Sequence, residues 1–173
     1  MIILGIDPGT AIVGYGVIST NTPSHLKQNI HEKPRVIDFG CITTTQFNTS
    51  SERLKMVYDG VMDLIEKYKP DAISVESLFF FKNLKTAMPV SQARGVILLA
   101  AEQHRIPIFE FTPLQVKMTV VGYGRAEKKQ VQEMTKKLLD LDGFDDKKKH
   151  RKKDDASDAL GVALCALLKG FSL

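Results

Sequence analysis

Four carboxylates are the residues of this chain whose types and spacing can do chemistry: Asp7, Glu76, Asp155 and Asp158. Asp7 ends the apolar run Ile2-Ile3-Leu4-Gly5-Ile6 and precedes the turn Pro8-Gly9-Thr10. Glu76 ends a second apolar run, residues 72–75. A carboxylate where a buried strand meets the surface is costly unless something pairs with it. For Asp7 alone two readings stand: a side chain capping its own turn, or a rigidly held ligand for a metal ion or a phosphate-bound cation. Asp155 and Asp158 are spaced i, i+3, so on a helix they share a face, about 60° apart around the axis. Asp154 and Asp155 can also simply cap that helix and complement its dipole. Asp158 lies beyond the capping turn and fits that role less well. Grouped acids repel, and they persist together mainly where a divalent cation compensates them. All-oxygen ligation favours Mg²⁺ or Mn²⁺ over Zn²⁺. His25, His31, His104 and His150 have no metal-ligand spacing, and the sequence has no Ser/His/Asp arrangement or P-loop.

The elements that must gather these acids follow from periodicity. Apolar β-formers on both sides of the Pro-Gly turn predict two antiparallel strands. The first is apolar on both faces and is expected to be central in its sheet. Residues 20–34 are polar, with Pro23 and Pro34, and read as a loop or wide hairpin connection. Residues 35–45 alternate as a third strand. Thr49-x-x-Glu52 is a capping box, opening a helix through Leu54, Val57, Val61, Leu64, Ile65 and Tyr68 that stops before Pro70. Residues 72–75 form a strand, and three aromatics at 79–81 follow that cannot all point inward. Residues 84–104 are helical, with Pro89 starting or kinking the helix, and residues 95–101 are apolar nearly all round and so expected to be buried. Residues 107–112 make a fifth strand, 113–120 a helix with proline in its first turn, and 122–124 a loop. Residues 126–139 are amphipathic through Val131, Met134 and Leu138, and residues 140–153 are charged and expected to be mobile. The last helix, residues 154–168, has a core stripe of Ala156, Leu160, Ala163/Leu164 and Leu167. Its Asp155/Asp158 face is expected roughly opposite that stripe. Alanines at 156, 159 and 163 would let this helix lie close against a sheet and carry its carboxylates to the strand ends. The order predicts an α/β fold with a mixed five-stranded sheet flanked by helices on both faces, in one domain over residues 1–173.

At 173 residues with 43% hydrophobic content, the chain can bury a core without staples. No apolar stretch approaches the roughly 20 residues that span a bilayer, and the N-terminus enters a strand at once without a secretory n-region. Cys41 and Cys165 stand alone, which fits a reducing cytoplasm. Residues 115–153 hold 12 of the 24 Lys and Arg but 6 of the 20 Asp and Glu. A basic segment on a near-neutral body suits a polyanionic partner, although on charge alone a solvated helix face with a charged loop is the simpler reading.

The segments LGIDPGT, VESLFF, SQARG, VKMTVVGYGRAEKKQV and DDASDALGVAL, spread over almost the whole chain in order, together resemble the RuvC-type Holliday-junction resolvases. The resemblance implies a ribonuclease-H-like fold and a homodimer that nicks four-way DNA junctions symmetrically with Mg²⁺, partnered by a branch-migration complex of the RuvA/RuvB type. By motif position it makes Asp7, Glu76, Asp155 and Asp158 the metal ligands and catalytic acids. It also makes Lys117 and Lys128 the DNA-contacting lysines, and Phe79 the aromatic that stacks at the opened crossover. Packing in the core or at a dimer interface suits Phe80 and Phe81. The implied mechanism uses two cations about 3.5–4 Å apart, with Mn²⁺ expected to substitute for Mg²⁺. Asp7 would be the ligand they share, and the ends left would be 5′-phosphate and 3′-hydroxyl. The run KKKHRKK at 147–153 departs from the family by being longer and more basic.

Other readings carry different requirements. The actin/Hsp70/sugar-kinase ATPases also open on a GIDxGT-like phosphate loop, but need two lobes and a second such loop. A junction-binding protein without catalysis would not need all four acids. A same-fold RNA-processing nuclease would not call for the aromatics after Glu76 or the lysines of AEKK.

Overall fold

In the computed structural model, which describes residues 1–20, 33–77, 84–139, 141 and 153–169, the chain opens with three strands: β1 (Ile2–Asp7), β2 (Ile12–Ser19) and β3 (Arg35–Thr43). It continues through α1 (Ser50–Tyr68), β4 (Ala72–Glu76), α2 (Leu84–Gln103) and β5 (Ile108–Phe111). Helices α3 (Pro113–Val120), α4 (Lys128–Leu139) and α5 (Lys153–Lys169) complete it. The sheet order is β3-β2-β1-β4-β5. β2 is antiparallel to both β1 and β3, whereas β4 runs parallel to both β1 and β5. The mixed five-stranded sheet and the central position of β1 are as expected. Most of the 20–34 connection, the three phenylalanines, most of the 140–153 segment and the basic run up to residue 152 lie outside the described residues.

Two-residue alternation divides the sheet into two cores. Leu4, Ile6, Val13, Val17, Ile73 and Val75 face α1 and α2, meeting Val57, Val61 and Ile97. Ile3, Ile18 and Phe111 face the opposite way, into a core built with α3, α4 and α5. Helices therefore cover both faces. The capping box of Thr49 and Glu52 forms at the start of α1, and Lys69 ends the helix in the left-handed region at φ 46°. A second capping box, Thr112 with Gln115, starts α3, so Thr112 closes the fifth strand rather than extending it.

Two expectations need correction. Residues 95–101 are not buried all round: Ile97, Ala100 and Ala101 are fully covered, but Leu99 is 53% exposed, and a Cβ on Gly95 would meet nothing within 4 Å. Only one face of α2 packs on the sheet and α1, which leaves an apolar outer face. Nor does the Asp155/Asp158 face of α5 lie opposite a single core stripe. Every residue from Ala159 to Ala166 is buried, because α3 and α4 cover the side of α5 turned away from the sheet. Pro89 lies inside α2 rather than at its start. Among the described residues no helix is long and apolar enough to cross a membrane.

Candidate active site

The parallel pairing of β1 with β4 does the first part of the assembly. Ile6 pairs with Val75, so one further step along both strands brings Asp7 and Glu76 side by side at the same end of the sheet. Both lie on the α5 face, two residues beyond Gly5 and Ser74. The Ser74 hydroxyl donates to the Val162 carbonyl at 2.8 Å, fastening β4 to α5.

Glycines do the second part. A Cβ on Gly5 would lie 2.2 Å from the Ala159 carbonyl oxygen, and one on Gly14 would lie 2.2 Å from that of Asp155. At Gly16 it would press on Leu160 at 2.7 Å. With no side chains at these three positions, the main chain of α5 rests directly on β1 and β2. Ala156, Ala159 and Ala163, all but fully buried, complete the close approach. Because Gly14 pairs with Asp7 across β1–β2, the first turn of α5 is set down beside Asp7, and Asp155 and Asp158 come with it. The structure thus gathers all four acids predicted from sequence.

Their electrostatics show the cost. The Asp7 carboxyl is pushed up from its ordinary 3.8 to about 8, first by burial, then by the charge of Glu76 and a hydrogen bond with it, with further contributions from Asp158 and Asp155. Glu76 is also raised, by burial and by Asp158, although the hydrogen bond with Asp7 and the charge of Lys128 pull the other way. The protein itself supplies too little positive charge for this cluster. Among the described residues, no three His, Cys, Asp or Glu side chains close into a cage around one ion. Instead the charge of Glu76 bears directly on Asp7, and Asp158 turns to α4. Lys128 Nζ lies 2.6 Å from Asp158 Oδ2, and Gln132 Nε2 donates to Asp158 Oδ1 at 3.4 Å. Burial acts to lower the Lys128 ammonium, but the hydrogen bond to Asp158 and that residue's charge hold it above its usual range. A set of oxygen donors that must otherwise neutralise one another suits a hard divalent cation.

Of the two predicted lysines, Lys128 reaches the acids directly. Lys117 is half-buried on α3, and no ion pair joins it to any of the four carboxylates. Phe79 lies outside the described residues. The sequence reading missed Gln132, whose signal was its i, i+4 spacing from Lys128 on one helix face. It also missed the role of Gly5, Gly14 and Gly16, whose alternation on the strands marked one face stripped of side chains.

Comparison with known proteins agrees with this arrangement. Residues 3–166 match the family described as Crossover junction endodeoxyribonuclease RuvC. A relative of that description from Halothermothrix orenii is 51% identical over 165 residues, covering 95% of this chain and 91% of its own. The solved structure of Thermus thermophilus RuvC is 28% identical and superposes with a TM-score of 0.80, over 97% of this chain and 94% of that one. Its complex with Holliday junction substrate, also 28% identical, superposes with a TM-score of 0.82, over 98% and 94%. The fold is therefore the ribonuclease-H-like architecture expected, and neither the ATPase nor the RNA-processing alternative is favoured. This chain belongs to the RuvC family of crossover junction endodeoxyribonucleases.

Proposed function

We propose that this endonuclease resolves four-way DNA junctions by hydrolysing a phosphodiester at the cluster of Asp7, Glu76, Asp155 and Asp158. The observation that carries the assignment is the convergence of four acids, distant along the chain, at one end of the sheet, where burial first and then the neighbouring acids drive Asp7 up to about 8. Those four residues would hold two Mg²⁺ ions, with Mn²⁺ able to substitute. When bound, the ions would activate water and stabilise the leaving 3′-oxygen. Asp7, nearest the centre of the cluster's mutual repulsion, is the candidate for the shared ligand. β1 and β4 hold Asp7 and Glu76 rigidly through their parallel pairing, and the glycine contacts fix the height of the α5 acids above them. Lys117 and Lys128 offset phosphate charge along the DNA. Phe79 stacks on a base at the opened crossover.

Paired nicks need two sites related by a two-fold axis, and we read the whole chain as one domain acting as a homodimer. The outer face of α2 supports this reading: Met88 and Leu99 are 69% and 53% exposed, and Gly95 between them leaves space for a close neighbour. Cys41 and Cys165 form no disulfide among the described residues, which suits a reducing cytoplasm. A branch-migration complex as partner rests on the family resemblance alone.

The direct test incubates the protein with a synthetic four-way junction and with linear duplex of the same sequence, with and without Mg²⁺. Paired, symmetric, Mg²⁺-dependent nicks confined to the junction are expected. Equal cutting of both DNAs, or cutting in EDTA, would overturn the assignment.

A further inference from the structure

We infer that Lys128 is the exchangeable counter-ion of the acidic cluster: it occupies Asp158 when no divalent cation does, and is released toward the DNA backbone when one binds. This inference rests on the reading of the four acids as a cation site. It begins from the ion pair of Lys128 with Asp158, at 2.6 Å. Lysine is the side chain for such a role. Its ammonium is a compact charge on a flexible stem, able to swing between partners without a fixed bidentate geometry. Lys128 stands in the first turn of α4 and its side chain is 56% exposed, whereas that of Asp158 is 24% exposed. The lysine can therefore leave toward solvent while the carboxylate stays at the site.

The surroundings fit an exchange rather than a permanent bridge. Asp158 keeps a second contact on α4, the amide of Gln132 at its other oxygen, so its carboxylate remains oriented after the lysine departs. Asp155 and Asp154 also act on the Lys128 charge, so the ammonium faces the whole acidic end of α5. A cation bound among these acids would repel it. The nearest replacement is the phosphate backbone that the cation itself is there to bind. Cation binding and DNA binding are then coupled through one side chain: the ion frees Lys128, and the freed lysine adds one phosphate contact. Gln132 acts as a positioning residue, holding Asp158 through the exchange.

The test reads metal binding without DNA. Mn²⁺ affinity is measured from the electron paramagnetic resonance signal of the free ion, for the native protein and for Lys128→Met, Gln132→Leu and Asp7→Asn. An ion pair of this partial exposure is worth up to about fivefold, so Lys128→Met is expected to bind Mn²⁺ on the order of threefold more tightly. Gln132→Leu is expected to bind it more weakly. Independently, reductive methylation of Lys128, followed by peptide mass spectrometry, is expected to speed up when Mn²⁺ is added. Unchanged or weaker Mn²⁺ binding by Lys128→Met, or methylation indifferent to the ion, would overturn the exchange. The two readings fail separately. If Asp7→Asn binds Mn²⁺ as the native protein does, the cation site itself is wrong; if Asp7→Asn loses it while Lys128→Met changes nothing, only the exchange is.

Discussion

Gly14 lies so close beneath the main chain of Asp155 that a Cβ at residue 14 would come within 2.2 Å of the Asp155 carbonyl oxygen. The neighbour is backbone, which cannot rotate aside. Gly14→Ala must therefore lift the first turn of α5 off β2 or bend the strand. A loss of about 1–3 kcal/mol in stability is expected, as for other overpacked positions, together with loss of most cleavage because Asp155 and Asp158 move with the turn. Denaturant unfolding and a junction-cleavage assay on the same preparation check both. Native cleavage by Gly14→Ala would show that the height of α5 does not matter to the chemistry.

Asp7→Asn keeps the size of the side chain and removes the charge at the most strongly perturbed acid. Mg²⁺-dependent cleavage is expected to disappear, while junction binding, measured in Ca²⁺ or EDTA by gel shift, survives. Retained cleavage would take Asp7 out of the site.

The raised Asp7 carboxyl also sets a pH dependence. Its folded value, about 8, stands above its ordinary 3.8, so the folded state binds more protons than the unfolded one throughout that interval. Stability linked to Asp7 is then complete below about 4 and falls as pH rises toward 8. In EDTA, the melting temperature of the native protein is expected to fall more steeply between pH 5 and 8 than that of Asp7→Asn. Parallel curves would mean that Asp7 titrates normally.

The apolar outer face of α2 predicts the oligomer. Leu99→Glu places a charge where 53% of the side chain is already exposed, so the protomer should keep its fold while a dimer packed through this face dissociates. Sedimentation or light scattering is expected to show the native dimer and a monomeric variant. A dimeric Leu99→Glu would move the interface elsewhere.

Phe79→Ala is expected to slow cleavage of intact four-way junctions about tenfold or more, in line with roughly 1–3 kcal/mol for a stacked base, without altering affinity for linear duplex. Native rates would reduce this residue to packing.

The antiparallel opening strands, the helix spans and the positions of the four acids were legible in the sequence because each rests on local pattern. Short apolar or alternating runs marked the strands, the Thr49–Glu52 box opened α1, and carboxylates at the ends of apolar runs or three residues apart on a helix announced themselves by type and position. Motif order carried the family. What only the tertiary structure decided depends on elements far apart in sequence. The parallel register of β1 with β4 sets Asp7 beside Glu76, and nothing in either strand alone specifies it. The burial of α5 on every side from Ala159 to Ala166 follows from α3 and α4 folding back over it, which no periodicity within α5 reveals. The partnership of Lys128 and Gln132 with Asp158 joins residues 26 or more apart along the chain. Side-chain pattern reports which face of an element is apolar; which element covers that face, and which charge it brings, is settled only when the layers pack.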